Sequence, residues 1–236
     1  MPGLIRVGHK GADHVAPGNT EASFEAALDL GVDMIEFDVM PLRDGTLVLA
    51  HDPEDATSRT PLTLEEGLDH FAVEAYSGVE LDVDLKIPGY EREVVAGLRE
   101  RGLLRRSLIS STYPESLALV RELDSEVRRG LSVPRARRDY TDSWAYKLPA
   151  YAVVLWWRAG LPAKAARALE RGECEALMVH RLLVSRELVR RVSGAGGQLY
   201  VWTVDDAEEI ARLERLGVHA VITNDPRLFG ARTPAP

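Results

Sequence analysis

Short apolar runs of strand character alternate with amphipathic segments of helical period along nearly the whole chain. The strand-like runs fall at 4–8, 34–39, 79–85, 107–111, 129–133, 175–179, 198–204 and 219–223. Helical periodicity fills the intervals at 21–30, 64–71, 92–101, 115–123, 163–171, 186–193 and 207–216. Thr20 and Asp205 read as helix caps, and Gly31, Gly102, Gly172 and Gly217 as helix stops. Eight strands with helices between them in 236 residues predict a single-domain (β/α)8 TIM barrel over 1–236, with a short frayed tail at 231–236. The competing doubly wound open sheet lacks the glycine-rich phosphate loop expected after its first strand. An extra strand is predicted at 46–50 after the turn Arg43-Asp44-Gly45, pairing antiparallel with 34–39 as a hairpin. That hairpin brings His51 back toward the barrel only if its arm curls over the mouth. The segment 135–161 is basic at Arg135, Arg137 and Arg138, then aromatic at Tyr140, Trp144, Tyr146, Tyr151, Trp156 and Trp157, and reads as a long loop and helix.

Two of the strand runs carry an unusual load. In Met34-Ile35-Glu36-Phe37-Asp38-Val39, residues two apart share a face, so Glu36 and Asp38 point one way and the apolar residues the other. Val79-Glu80-Leu81-Asp82-Val83-Asp84-Leu85-Lys86 repeats the pattern, with Glu80, Asp82, Asp84 and Lys86 on one face. Buried carboxylates are costly unless paired, hydrogen-bonded or bound to a metal. Two acidic inner faces therefore predict a divalent cation between the strands.

In a parallel barrel the chemistry collects at the C-terminal strand ends. His9 and Lys10 end the first run, Glu36 and Asp38 the second, Asp84 and Lys86 the third, and Trp202 and Thr203 lie near the end of the seventh. The net charge of −8 argues against a nucleic-acid surface, and an anionic substrate needs a local metal, lysine or arginine. Cys174 is the sole cysteine, so no intrachain disulfide forms. Met1-Pro2-Gly3 leads into a strand without a basic n-region, and Tyr151 to Trp157 is too short to span a bilayer. The expectation is a cytoplasmic enzyme of a small molecule, without stable membrane insertion.

The ordered set Gly8-His9-Lys10-Gly11, Pro17-Gly18-Asn19-Thr20, Gly31 through Val39, Asp44-Gly45, His51-Asp52, Asp84-Leu85-Lys86, Val201-Trp202-Thr203-Val204 and Gly217 through Pro226 resembles the glycerophosphodiester phosphodiesterases, within the PI-PLC-like phosphodiesterases. The resemblance implies a TIM-type barrel, a divalent metal (Mg or Ca), and hydrolysis of glycerophosphodiesters to glycerol 3-phosphate and an alcohol. It implies His9 and His51 as the catalytic histidines, and Glu36, Asp38 and Asp84 as metal ligands. It further implies Lys10, Lys86, Asn19 and Trp202 as substrate-binding residues. Hard oxygen ligands suit Mg or Ca, and two histidines can divide acid and base roles near neutral pH. Four departures stand out: Lys10 where the family commonly has Arg, Gly18 where it has Glu, Asp84 where it has Glu, and a short segment between His51 and Pro61. Two alternatives follow. One is lysophospholipase D activity, with Tyr151, Trp156 and Trp157 forming a lip for a lipid. The other is a non-catalytic phosphodiester-binding protein.

Overall fold

A computed structural model describes residues 3–134 and 147–230, with side chains from 157 onward in the second stretch. Its nine strands are β1 (Ile5–Gly8), β2 (Met34–Pro41), β3 (Leu47–Val48), β4 (Glu80–Leu85), β5 (Ser107–Ser111), β6 (Arg128–Val133), β7 (Ala176–His180), β8 (Gln198–Trp202) and β9 (Ala220–Thr223). All but β3 are parallel neighbours in the order β1-β9-β8-β7-β6-β5-β4-β2, and β1 pairing with β2 closes the ring. The expected TIM barrel is the observed architecture, and strand limits differ from the sequence reading by a residue or two, as terminal residues do.

The helices are α1 (Glu21–Asp29), α2 (Pro53–Ser58), α3 (Leu64–Phe71), α4 (Glu91–Glu100), α5 (Pro114–Leu123), α6 (Lys147–Glu170), α7 (Arg186–Gly194) and α8 (Ala207–Leu216). Thr20 caps α1 by accepting from the Ser23 amide. Asp206, not Asp205, caps α8, by accepting from the Glu209 amide, because Asp205 is committed elsewhere. Helix α2 was not expected. No element is read there from the sequence; Asp52 accepts from the Glu54 and Asp55 amides and starts a short helix with Pro53 at its first position. Helix α6 runs far ahead of the expected 163–171. The basic and aromatic residues from Arg135 to Tyr146, the side chains of Tyr151 and Trp156, and the tail 231–236 lie outside the described residues.

Alternation along the strands builds two cores. Ile35, Phe37 and Val39 of β2 and Leu81, Val83 and Leu85 of β4 face outward onto Phe24 of α1 and Leu68 and Phe71 of α3. Phe24, Phe37 and Phe71 pack ring to ring at 4.7–6.1 Å. Inside the barrel, Val7, Met34, Leu108, Met178, Tyr200 and Ile222 form a separate apolar plug. The inward faces of β2 and β4 above that plug are acidic, and the parallel register sets Glu36 beside Asp82 and Asp38 beside Asp84.

Two strand lengths open the mouth. β1 pairs with β2 only as far as Gly8 opposite Ile35, so Glu36 lies just beyond the shared edge. β2 runs on to Pro41, and β3 pairs back on its extension, with Val48 opposite Met40 and Leu47 opposite Pro41. The hairpin strand is shorter than the expected 46–50. Its antiparallel register turns the chain back, and His51 comes near enough to the carboxylates for its charge to act on Asp38. Among the described residues, no helix is long and apolar enough to cross a membrane.

Candidate active site

The loop after β1 approaches β2 closely. A Cβ on Gly8 would sit 2.1 Å from the Gly11 carbonyl oxygen. Lys10 and Asn19 both adopt left-handed backbone, with φ of 50° and 57°. Side-chain residues in that region cost roughly 1–3 kcal/mol each and persist where surroundings enforce them. Here the Lys10 amide donates to Glu36 Oε2 at 2.8 Å, and its carbonyl accepts from the Asn19 amide and from Ser23 Oγ. The strain fixes the loop onto the ligand-bearing strand.

Glu36, Asp38 and Asp84 each offer an oxygen, and these oxygens lie within 4.8 Å of one another. Lys86 Nζ bridges Asp38 Oδ1 and Asp84 Oδ2, 2.5 Å from each. Asp38 Oδ1 is buried and accepts no directed hydrogen bond, although that ammonium touches it. Asn19 is fully buried and spends its amide on Asp38, donating to Oδ2 at 2.9 Å and accepting from the Asp38 amide at 3.1 Å. It thus aims a carboxylate. Three carboxylates against one ammonium leave a surplus of negative charge, and the all-oxygen donor set fits a hard divalent cation.

Electrostatics follow the crowding. Burial and the neighbouring Asp38 charge hold the Glu36 carboxyl well above its usual range. Burial also opposes charge on Asp38, but Lys86, His51 and His9 outweigh it and hold that carboxyl well below the usual range. Burial works against the Lys86 ammonium, while Asp38, Asp84 and Glu36 raise its pKa well above the ordinary value. Deeper in the barrel, burial pushes Asp82 up to about 8, against a hydrogen bond from Ser110. Glu80 pairs with Arg128 at 3.0 Å. Neither belongs to the cluster of three, which matches their deeper sequence positions.

The two histidines sit in unlike settings. His9, 20% exposed, has Nε2 3.8 Å from Glu36 Oε2. Its Nδ1 lies 2.5 Å from Asn224 Oδ1, and burial lowers its pKa. Asn224 Nδ2 donates to Asp205 Oδ2 at 2.7 Å, so the amide oxygen faces the ring and Nδ1 carries the proton. His51 is 51% exposed, and its Nδ1 lies 3.0 Å from Asp52 Oδ2. It is close enough to the cluster for its protonated ring to favour ionised Asp38.

The remaining expected residues divide. Lys10 Nζ pairs with Asp13 Oδ2 at 2.8 Å. Trp202 lies across the mouth on β8, its ring edge-on to His180 at 5.1 Å. From the sequence, Asp205 reads only as a helix cap, and no site role falls to Asn224 or Asp13. Asn224 and Asp205 stand just past the C-terminal ends of β9 and β8, and that position was the available signal. Cys174 is buried, with its thiol pushed up to about 11, which suits an inert core residue.

The model of the glycerophosphoryl diester phosphodiesterase family matches residues 9–61 and 56–228. A glycerophosphodiester phosphodiesterase of Caldanaerobacter subterraneus subsp. tengcongensis is 27% identical, over 93% of this chain and 93% of that protein. Among solved structures, a glycerophosphodiester phosphodiesterase of Parabacteroides distasonis is 17% identical with a TM-score of 0.71, covering 95% of this chain and 94% of its own. An Oleispira antarctica phosphodiesterase in complex with the product sn-glycerol-3-phosphate is 22% identical with a TM-score of 0.67, covering 96% and 94%. The structural likenesses carry the fold; the family match carries the class. The chain belongs to the glycerophosphoryl diester phosphodiesterase family and is an enzyme of phosphodiester hydrolysis.

Proposed function

We propose that the protein hydrolyses glycerophosphodiesters to glycerol 3-phosphate and an alcohol, with Mg or Ca held by Glu36, Asp38 and Asp84. The single observation that carries this reading is the cluster of three carboxylates flanked by two histidines whose Nδ1 atoms face unlike acceptors, the Asn224 amide oxygen and the Asp52 carboxylate. A bound divalent cation supplies charge stabilisation at the phosphoryl oxygens. His9 is the base: Asn224 holds its proton on Nδ1, which leaves the Nε2 lone pair to take a proton from the attacking water. His51 is the acid: Asp52 orients the ring through Nδ1, and Nε2 gives its proton to the departing oxygen. As the nucleophile's oxygen bonds to phosphorus, the bond from phosphorus to the alcohol oxygen breaks. The two protons keep the step neutral. Lys10 and Lys86 place positive charge beside the diester, and Asn19 fixes the ligand Asp38. Trp202 lines the far rim.

The test is a hydrolysis panel with Mg or Ca on glycerophosphocholine, glycerophosphoethanolamine, lysophosphatidylcholine and bis(p-nitrophenyl) phosphate. Absence of turnover on every diester with metal bound refutes the enzyme and leaves the binding-protein alternative. His9→Ala and His51→Ala each abolish turnover; near-native rates in either remove its assigned role. Glu36→Ala abolishes metal binding, and unchanged affinity by calorimetry overturns its assignment as a ligand.

A further inference from the structure

A cavity of about 380 Å³ opens between the loop after β1 and helix α2. It shares Lys10 and His51 with the site already described, and its other walls include Asp13, Asp52, Asp55 and Arg59. If His51 protonates the departing oxygen, the carbon skeleton on that oxygen lies on the His51 side of the phosphate, where this space is. Gly18 lines it, and its bareness is what seats Asp13 there. A Cβ at that position would stand 2.6 Å from Asp13 Oδ1 and 2.8 Å from Lys10 Cβ. Asp13 instead accepts from the Gly18 amide at 2.8 Å and pairs with Lys10. The family's usual glutamate at this point would displace that arrangement.

The lining selects its guest by hydrogen-bond acceptors and shape. Three carboxylates, Asp13, Asp52 and Asp55, face Lys10, Arg59 and the His51 ring, which as the acid carries the third positive charge, so net charge does not decide the guest. Asp55 is paired with Arg59 at 3.2 Å and Asp52 with His51 at 3.0 Å. Asp13 accepts two hydrogen bonds, and a carboxylate has about four acceptor positions, so it keeps capacity for a donor. Among the described residues, no aromatic ring other than the His51 imidazole lines the cavity. Quaternary ammonium groups are held by aromatic faces, whereas a primary ammonium needs hydrogen-bond acceptors and carries three donors.

We propose that this cavity is the subsite for the leaving alcohol and that it selects a head group bearing a primary ammonium, with Asp13 as the specificity-determining residue. The inference rests on the hydrolytic reading above, with His51 as acid. The test compares kcat/KM of the wild-type enzyme for glycerophosphoethanolamine, glycerophosphocholine and glycerophosphoglycerol. Ethanolamine is expected to lead choline by at least about fivefold, the factor of one net hydrogen bond that the trimethylated ammonium cannot donate. Asp13→Asn is expected to collapse that ratio toward one. Inhibition of the wild type by free ethanolamine, stronger than by free choline, supports the same subsite without any variant. Equal or better turnover of the choline diester by the wild type overturns the proposal while leaving the hydrolase intact. So does an undiminished ratio in a folded Asp13→Asn protein. No turnover of any of the three defeats the hydrolytic reading itself.

Discussion

Removing the ammonium from between the carboxylates is the sharpest perturbation available. Lys86→Met keeps the length and apolar stem but deletes the charge that lies 2.5 Å from both Asp38 and Asp84. At that separation and an effective dielectric constant of about 20, each attraction is worth roughly 7 kcal/mol gross. Burying the ammonium and the carboxylates offsets most of this. What decides the outcome is that Asp38 is fully buried and cannot recover water. Breaking a buried pair by removing one partner costs about 3–5 kcal/mol. Urea denaturation in chelator is therefore expected to show the variant less stable than wild type by about that amount. A divalent cation replaces the lost charge, so saturating Ca or Mg should restore more stability to the variant than it adds to the wild type. A Lys86→Met protein as stable as wild type in chelator would refute the bridging role. Destabilisation that no divalent cation reverses would refute the claim that the ammonium and the metal answer the same negative charge.

Gly8→Ala drives a Cβ against the Gly11 carbonyl, which cannot give way without moving the strained loop; a loss of about 3 kcal/mol in urea is expected, and a change near zero would disprove the close approach. Asn224→Ala frees the His9 tautomer, so kcat should fall about a hundredfold with cation affinity by calorimetry unchanged; unaltered kcat would show that Asn224 does not position the ring. His219 Nδ1 accepts the Leu199 amide at 3.0 Å, which only the neutral ring can do, and burial lowers its pKa from the ordinary 6.5. The unfolded chain then binds the extra proton first, so stability is present above pH 6.5 and is lost as pH falls below it. Replacing His219 with Gln should flatten that decline by about 1 kcal/mol in melts across pH 5 to 7; an identical slope would exclude the ring as its source.

The barrel was legible because its signals are local. Alternation in 34–39 and 79–85 separates acidic from apolar faces within a few residues, and the structure keeps that separation. The short hairpin strand and helix α2 were read less well. Pro53 marks a turn as readily as a helix start, and only the capping by Asp52 decides between them. The supports of the site depend on distant neighbours. Asn224 meets His9 across 215 positions of chain because β9 and β1 are adjacent in the ring, which no spacing in the sequence encodes. Asn19, expected as a substrate-binding residue, is buried and spends its amide on Asp38, a contact 19 positions away that spacing does not show. Asp13 gains its place from an absent side chain at 18, a signal visible only as a departure from the family pattern.

The hairpin on β2 has a consequence for how such an enzyme diversifies. Val48 bridges to Thr63, and the Leu49 amide donates to the Leu62 carbonyl, so the excursion carrying His51 and α2 is clasped at its base. Its two ends are fixed by sheet pairing rather than by whatever lies between them. Doubling the length of a flexible loop with tethered ends adds only about 0.6 kcal/mol of closure entropy. The segment beyond Asp52 can therefore shrink to a single short helix, or grow into a larger cap, without disturbing Glu36 and Asp38 on the strand beneath. The clasp makes it a replaceable cassette, through which an invariant hydrolytic centre can be offered different alcohols.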